Sequence, residues 1–252
     1  MGKYNWQEGG EIMRKIVSFS GGKDSTAMLL RMIELGEKID EIVFADTTFE
    51  FPELYKYLKR VEKKIGRKIT ILSPEKGLFE KWFYGKVTRG DNVGKTRGFP
   101  LKAFPCWWAR ESKIKPLTKF QKGECLVYIG IAYDEKKRIS KVKGNLRYPL
   151  VNWGWTEQDC MDYLNKKKMF NQLYADFDRL GCWLCPKQGE KSLYVLWKKY
   201  PKLWKELLWW DKETHKKTGR WIRYKPLSEI GNEFKKGKVP KKAPKYKEEL
   251  YD

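Results

Sequence analysis

The chain has 252 residues, which is enough for one large domain or for a domain with an appendage. Because 41 % of the residues are hydrophobic and 15 % are aromatic, the chain can form a hydrophobic core. No run of about 18 apolar residues occurs and residues 1–15 lack an apolar signal core, so the sequence excludes a membrane-spanning helix, and we expect a cytoplasmic protein. The formal charge of +22 favours polyanions as partners, nucleic acid first and nucleotides second. A heat-adapted surface would be enriched in Lys and Glu together, but here 54 Lys and Arg stand against only 32 Asp and Glu.

Strands and helices are predicted to alternate along the first part of the chain. The predicted elements are a buried strand at 14–19, a helix at 24–36, a strand at 41–46, a helix at 52–66 and a strand at 68–73. Asp24 can cap the first helix, Gly36 suits its end, and Pro52 fits the first turn of the second. Further strands are predicted at 124–132 and 147–150. The alternation predicts a parallel α/β sheet.

Three regions depart from this alternation. Residues 77–122 form a long excursion rich in Gly, Arg, Lys and aromatic residues, and such an excursion is usually functional or mobile. A helical pattern begins with residues 156–167. We therefore predict an α/β domain at 1–155, a helical C-terminal region at 156–234 and a weakly ordered Lys/Pro-rich tail at 235–252, which either clamps a nucleic-acid backbone or only aids solubility.

The stretch IVSFSGGKDSTAMLL, residues 16–30, has the outline of a phosphate cradle. A buried strand leads through two glycines into a helix start, where backbone N–H groups carry partial positive charge. Lys23 can add a point charge, and Asp24 can hold Mg²⁺ or cap the helix. Hydroxyl donors are available from Ser18, Ser20 and Ser25. The spacing matches neither G-x-x-x-x-G-K-[ST] nor G-x-G-x-x-G, and the alternative is an ordinary strand–turn–helix corner.

The segment SFSGGKDS resembles the PP-loop of the ATP pyrophosphatase superfamily, also called the adenine nucleotide alpha-hydrolase superfamily. The order of later segments resembles the phosphoadenylyl-sulfate (PAPS) reductase branch. These segments are FADTTFEFPELYKYL, FPCWWARESKIKPL, GIAYDEKKR, YPLVNWGWTEQDCMDYL and RLGCWLCP. The resemblance covers residues 14–200 and implies a doubly wound, five-stranded parallel sheet with a helical C-terminal extension. The nucleotide would lie over the carboxyl ends of the strands.

The resemblance also implies which residues bind ATP and Mg²⁺. The phosphate-binding residues would be Ser18, Ser20, Gly21, Gly22, Lys23, Asp24 and Ser25. Asp46, at the end of the second strand, would lie near the ribose or a metal ion, or cap a turn. Asp134 and Arg138 would face the same cleft, with Arg138 on a phosphate or sulfate. Lys113 would do likewise, unless it is a solvated surface lysine. The candidate catalytic residues are Lys23, Asp24 and Arg138.

The cysteines suggest a metal or redox centre. Cys182 and Cys185 form a C-x-x-C pair, whose spacing lets both thiolates bind one metal centre, and Cys106 is the best third ligand. An iron–sulfur cluster, a zinc ion and a redox thiol pair all remain open. The resemblance to iron–sulfur relatives favours a 4Fe–4S cluster with one open iron, although tryptophans follow Cys106 where adenylyl-sulfate reductases have tandem cysteines. Cys125 and Cys160 are interpreted as core residues.

Two features of the sequence favour ATP-dependent activation over reduction of a sulfonucleotide. Sulfonucleotide reductases use a cysteine near the C-terminus as nucleophile, and no cysteine follows Cys185. An intact SGGKDS suits a complete ATP with pyrophosphate as the leaving group. We therefore predict an enzyme that adenylates an acceptor and transfers sulfur through the cysteine centre, with a nucleic acid, tRNA or DNA, as acceptor.

Alternative functions and partners remain. The alternative functions are a sulfonucleotide reductase that uses a partner thiol and a non-catalytic nucleic-acid-binding protein. Further predicted partners are a sulfur-donor or thiol-redox protein and a second copy of the chain. Ten tryptophans between residues 107 and 221 suit base stacking or core packing, and packing is favoured for each. His215 lies in no motif, so we treat it as a surface residue and expect no histidine general base.

Overall fold

The structure is a computed structural model, and it describes residues 13–139 and 144–241. Within that range five strands form one all-parallel sheet in the order β3-β2-β1-β4-β5. The strands are β1 Arg14–Phe19, β2 Glu41–Ala45, β3 Thr70–Leu72, β4 Cys125–Ile129 and β5 Leu146–Arg147. The order reverses between β1 and β4, as in a doubly wound sheet. The predicted fold class is confirmed.

Helices connect the strands and make up the described chain after β5. The α-helices are α1 Lys23–Glu34, α2 Pro52–Ile65, α3 Leu78–Tyr84, α4 Trp107–Ala109, α5 Lys115–Phe120, α6 Pro149–Trp153, α7 Glu157–Lys166, α8 Glu190–Lys199, α9 Pro201–Thr218 and α10 Leu227–Lys235. Tighter 3₁₀ turns cover Tyr133–Arg138 and Gln172–Ala175, and a π-helical turn covers Arg110–Ile114. Among the described residues no helix is both long and apolar enough to span a membrane.

β1 is the central strand because its sequence suits burial on both faces. Ile16 and Val17 are fully buried. The parallel register places Val17 beside Ile42 of β2 on one side and Tyr128 of β4 on the other. A strand covered on both faces needs consecutive apolar residues rather than alternation, and Ile16 and Val17 supply them at the centre of β1.

The described chain divides into two compact units. The first unit comprises residues 13–44, 60–71, 118–139 and 144–170, and the second comprises 45–59, 72–117 and 171–241. The first unit contains the glycine-rich loop and α1, and the second contains Cys106, Cys182 and Cys185. The domain boundaries predicted at residues 155 and 234 stay predictions. Residues 242–252 of the predicted tail, and residues 1–12, lie outside the described residues.

Two local predictions are wrong. Helix α1 begins at Lys23 with Gly22 as its N-cap, so Asp24 lies in the first turn and does not cap the helix. The fifth strand is Leu146–Arg147 rather than 147–150, because Pro149 occupies the first position of α6. Proline has no N–H to give to a strand ladder, and its fixed φ suits a helix start.

The residue after β4 sets how closely that strand approaches the start of α1. A Cβ on Gly130 would lie 2.6 Å from Cα and 2.7 Å from N of Ser25. Both distances are far inside van der Waals contact and both involve backbone atoms, so no rotamer change can relieve them. Only glycine therefore allows β4 to end beside the glycine-rich loop.

We expect Gly130→Ala to lower the free energy of unfolding by about 1–3 kcal/mol, because overpacking forces backbone shifts. Equilibrium urea unfolding measures the change. Gly144→Ala is the matched control in the same unit, since nothing lies within 4 Å of the added methyl group. Equal stability of the two variants would contradict the close packing described here.

Candidate functional site

The loop between β1 and α1 is held by its own serines. Ser20 and Ser25 share a hydrogen bond between their hydroxyl groups at 2.9 Å, and the Gly22 N–H donates to Ser20 Oγ at 3.3 Å. Gly21 has φ +71°, a left-handed conformation that favours glycine. Within the described part of the chain no side chain caps α1, whose positive dipole end faces this loop. The sequence thus builds a preformed turn with the character of an anion site.

Acidic groups surround the lysine of this loop. Lys23 Nζ donates to Glu157 Oε1 at 2.5 Å and lies 3.8 Å from Asp24 Oδ2. Carboxylate oxygens of Asp24, Glu135 and Glu157 lie within 4.8 Å of one another. Asp24 Oδ1 is buried and has no hydrogen-bond partner among the residues that the structure describes. Three carboxylates this close repel each other, and the ammonium of Lys23 offsets part of that repulsion. Oxygen ligands of this kind suit Mg²⁺.

The electrostatics of the loop follow from this crowding. Burial raises the pKa of Asp24 to about 6, and the charges of Glu157, Glu135 and Asp134 act in the same direction, against the charge of Lys23. Burial alone would lower the pKa of Lys23, but the hydrogen bond to Glu157 and the charge of Asp24 outweigh it, so its pKa is raised. Lys23 therefore stays protonated, while Asp24 holds its charge at a cost in stability.

Two residues of this cluster were missed by the sequence analysis. Glu157 is the first residue of α7, and Glu135 lies in the 3₁₀ turn Tyr133–Arg138. The predicted residues of that turn are already engaged: Asp134 accepts the Glu157 N–H at 3.1 Å, and Arg138 forms an ion pair with Glu135. The Thr156 capping box, which fixes where α7 starts, was the one sequence signal that could have located Glu157.

Asp46 organises a turn in the second unit. Its carboxylate accepts hydrogen bonds from the Thr48 N–H at 2.8 Å, the Tyr55 hydroxyl at 2.7 Å and the Ser73 hydroxyl at 3.3 Å. Thr48 has φ +62°, which is uncommon outside glycine, and the bond from its N–H to Asp46 helps to hold it there. Asp46 thus holds a turn in this structure, and its predicted contact with a ribose or metal stays a prediction.

Lys113 has a side chain that is 37 % exposed and that pairs with a buried carboxylate. Its Nζ lies 3.1 Å from Oε1 of Glu50, a carboxylate that is 2 % exposed. Glu50 also accepts a hydrogen bond from the Thr47 hydroxyl at 2.9 Å. Burial lowers the pKa of Lys113, but the charges of Glu50 and Cys182 outweigh it and raise the pKa overall. Lys113 is thus a fixed positive charge near a thiol.

The second unit also contains the three predicted ligand cysteines, all as free thiols. The Cys185 N–H donates to the Cys182 carbonyl at 3.0 Å, so the C-x-x-C segment is a tight turn. A hydrogen bond from Cys182 lowers the pKa of Cys185 to about 6, and the same bond raises the pKa of Cys182. Cys106 Sγ accepts the Ala109 N–H at 3.4 Å at the start of α4.

Cations lie around these thiols. Lys113 and Arg179 act on Cys185, and Lys187 acts on Cys106. Burial nevertheless raises the pKa of Cys106 above that of an ordinary thiol, and the charge of Cys185 adds to this effect. The hydrogen bond and the nearby cations thus favour ionisation of Cys185, whereas burial opposes ionisation of Cys106 and Cys182.

Residues 14–188 match the model of the phosphoadenosine phosphosulfate reductase domain. The match covers more than half of the chain. The chain belongs to the phosphoadenosine phosphosulfate (PAPS) reductase domain family. The resemblance given by SFSGGKDS and the later segments is confirmed.

The PAPS reductase domain described here has curated relatives in archaea and bacteria. It is 33 % identical over 207 residues to an uncharacterised protein of Methanocaldococcus jannaschii, which covers 76 % of this chain and 40 % of that protein. A second uncharacterised protein of the same organism is 27 % identical, and the alignment covers 74 % of this chain and 44 % of that protein. The chain thus spans about two fifths of the length of these relatives. An adenosine 5'-phosphosulfate reductase of Bacillus subtilis is 27 % identical, and the alignment covers 63 % of this chain and 66 % of that protein.

A solved structure supports the fold of this PAPS reductase domain. The phosphoadenylyl-sulfate reductase from Candida auris, crystallised as a phosphate complex, superposes with a TM-score of 0.50 at 18 % identity. The alignment covers 68 % of this chain and 82 % of that one. At this level of identity the similarity concerns the fold alone.

The other cysteines and many tryptophans of the PAPS reductase domain are packing residues. Cys125 and Cys160 are buried, which confirms their interpretation as core residues. The predicted core tryptophans that are buried are Trp108, Trp183, Trp204 and Trp210. Trp209 is instead 51 % exposed. His215 is an exposed residue that stacks on Trp221 at 3.9 Å between ring centroids.

We expect Asp24→Asn to change the pH dependence of stability in the presence of EDTA. Because the folded pKa of Asp24 lies near 6, above its unfolded value, the folded wild type binds the extra proton and loses stability as the pH rises from 4 to 6. The free energy of unfolding of the variant minus that of wild type should therefore rise across this range by at most about 3 kcal/mol. A difference that does not vary with pH, in urea titrations at each pH, would contradict the burial of a charged Asp24.

Proposed function

We propose that the chain is an ATP-dependent enzyme that adenylates an acceptor and replaces the activated oxygen with sulfur. The observation that carries the proposal is the uncapped start of α1, where Lys23 and three carboxylates stand together. An anion-binding backbone beside an acidic cluster is the combination that a magnesium nucleotide requires. Membership of the PAPS reductase domain family supports nucleotide binding.

The residues present fit Mg²⁺ and the phosphates. Asp24, Glu135 and Glu157 offer oxygen ligands, and the unpartnered Oδ1 of Asp24 is available to a cation. Once a cation neutralises Glu157, Lys23 can exchange that carboxylate for a phosphate oxygen. Ser20 and Ser25 add hydroxyl donors, and Arg138 can leave Glu135 for a phosphate in the same way. Bound Mg²⁺ would neutralise the phosphate charge and the pyrophosphate that leaves.

The proposed chemistry balances without an oxidant or reductant. An acceptor carbonyl oxygen attacks the α-phosphorus of ATP, and the bond to the bridging oxygen breaks to release pyrophosphate. A sulfur nucleophile at the sulfide level, supplied by a sulfur donor, then attacks the acceptor carbon. The carbon–oxygen bond breaks, AMP leaves, and a thiocarbonyl forms with loss of a proton. Positioning and neutralisation of charge by Lys23 and Arg138 would provide the rate enhancement.

We propose that Cys106, Cys182 and Cys185 hold the sulfur-transfer centre. They fit an iron–sulfur cluster because all three are free, lie in one unit and are surrounded by Lys113, Arg179 and Lys187, whose charges favour thiolates. A cluster held by three cysteines would supply an iron with an open coordination position. Lys113, fixed by Glu50, would keep a positive charge beside Cys182. Zinc is the second choice of metal.

One observation favours a second candidate function. The Bacillus subtilis relative is named as an adenosine 5'-phosphosulfate reductase. A sulfonucleotide already contains an activated sulfate, so the same loop would bind its phosphate without pyrophosphate release. In that case Cys185, the thiolate of the pair, or the thiol of a partner protein would attack sulfur and release the nucleotide. A second thiol would then resolve the intermediate and release sulfite.

Formation of AMP and pyrophosphate from ATP·Mg²⁺, with bulk tRNA or DNA as acceptor and sulfide as donor, tests the leading function. We expect Lys23→Ala and Asp24→Asn each to lower the rate by about 100-fold or more, because they remove charge stabilisation at the phosphates. Lys38→Ala is the control, since Lys38 is an exposed residue of the same unit with only a distant ion pair to Asp40. Sulfite release from adenylyl sulfate and a dithiol, without pyrophosphate formation from ATP, would instead establish the reductase.

Anaerobic purification followed by iron, sulfide and zinc analysis tests the thiol centre. We expect iron and sulfide in near-equal amounts, lost from Cys106→Ala, Cys182→Ala and Cys185→Ala because each removes a ligand. Cys160→Ala should retain both, since Cys160 is a buried residue of the other unit. Circular dichroism of each variant separates loss of metal from loss of fold. Full retention of iron in the three variants would overturn the assignment of the ligands.

A further inference from the structure

A pocket of about 480 Å³ lies wholly within the second unit. Its wall comes from residues 87–107 of the long excursion and from Lys217, Thr218 and Arg220 at the end of α9. The two parts are packed closely, because a Cβ on Gly98 would lie 2.6 Å from the Thr218 methyl group. The pocket is lined by Pro105 and Trp107, the two chain neighbours of Cys106.

The pocket is strongly basic. Its lining includes Arg89, Lys95, Arg97, Lys217 and Arg220, against the single acid Asp91. Asn92 is the hydrogen-bond partner of Lys95, and Glu213 lies 3.8 Å from Lys217. Arg89 and Arg220 are exposed, and neither guanidinium has an ion pair within the described part of the chain. Such a lining attracts anions.

Two buried N–H donors at the pocket lack an acceptor. They are Nε of Arg97 and Nε1 of Trp107. The rest of the Arg97 guanidinium is fixed, because one terminal nitrogen donates to the Lys86 carbonyl at 2.8 Å and the group lies 4.5 Å from the ring centroid of Trp82. Both atoms are buried, so a ligand in the pocket would meet the exposed residues Arg89 and Arg220 rather than these two donors.

Aromatic side chains supply the other half of the recognition chemistry. Trp107 and Phe104 line the pocket, and Phe104 is 54 % exposed. An exposed aromatic ring beside arginines, as Phe104 is here, is an arrangement on which an unpaired base stacks while the phosphates bind the cations. The ring of Trp107 instead stacks on Phe79 and Trp82. A pocket of this volume has room for about one nucleotide unit.

We propose that this pocket binds an unpaired nucleotide of a single-stranded nucleic-acid segment, with the base against Phe104 and the backbone phosphates on the arginines. The net charge of +22 favours a chain of phosphates over a free mononucleotide. The inference deepens the proposed function, since it assigns the surface where the acceptor binds, next to Cys106. Its test uses no ATP, so it succeeds or fails independently of the ATP chemistry.

Fluorescence anisotropy with labelled oligouridylate and oligodeoxythymidylate of about 12 nucleotides tests the proposal. Arg89→Gln combined with Arg220→Gln should weaken binding by about tenfold and lower the slope of log affinity against log salt by about 1.4, or 0.7 for each lost phosphate contact. The control, Lys63→Gln combined with Lys64→Gln, removes the same charge from exposed positions of α2 in the first unit. It should change affinity by less than about twofold.

An aromatic variant separates base stacking from charge. Phe104→Ala should weaken binding by about tenfold with the salt slope unchanged, because stacking involves no counterion release. Tyr224→Ala is the control, since Tyr224 is a 65 % exposed aromatic residue of the same unit that does not line the pocket. Equal losses in pocket and control variants, or no binding of either oligonucleotide, would overturn the proposal. AMP that competes as strongly as the oligonucleotides would also overturn it, in favour of a mononucleotide pocket.

Discussion

The contact of Gly130 with Ser25 is the constraint on which the candidate nucleotide site depends. A strand end and a helix start meet there at a distance that excludes any side chain. The 3₁₀ turn that begins three residues later carries Asp134 and Glu135, so the same contact fixes both carboxylates relative to α1. Asp134 in turn binds the first turn of α7 and presents Glu157 to Lys23. The positions of α1, the 3₁₀ turn and the start of α7 thus all depend on the close approach of Gly130 to Ser25.

A strongly basic chain can still have an acidic nucleotide site. Carboxylates outnumber cations around Lys23, whereas five cations and one acid line the pocket of the second unit. The net charge therefore averages two opposite local fields. The field around Lys23 suits a metal ion with bound phosphate, and the field in the pocket suits a polyanion. The thiols form a third environment, in which Lys113 stays charged because Glu50 is buried beside it.

The sequence predicted the parts of the molecule that depend on local pattern and failed where distant segments meet. β1 was predicted to the residue, because its apolar run and the glycines after it are contiguous. The loop residues were predicted from spacing, but Glu157 lies 134 positions from Lys23, and only the folded chain brings the two together. Asp24 was misplaced as a cap because a glycine N-cap gives a weak signal. The sequence analysis missed the basic pocket for the same reason that it missed Glu157, because Arg97 and Arg220 belong to segments that are far apart in sequence.

The pairing of β1 with β4 has a consequence for synthesis on the ribosome. The register joins Arg14 to Cys125, about 110 residues later in the chain. At translation rates of about 5–20 residues per second, β1 waits roughly 5–20 seconds for this neighbour to be made. During that interval one hydrogen-bonding edge of β1, which contains Ile16, Val17 and Phe19, has no native partner, and an unpaired strand edge promotes aggregation. The sheet can therefore close around β1 only after the excursion at 77–122 and β4 itself have been translated.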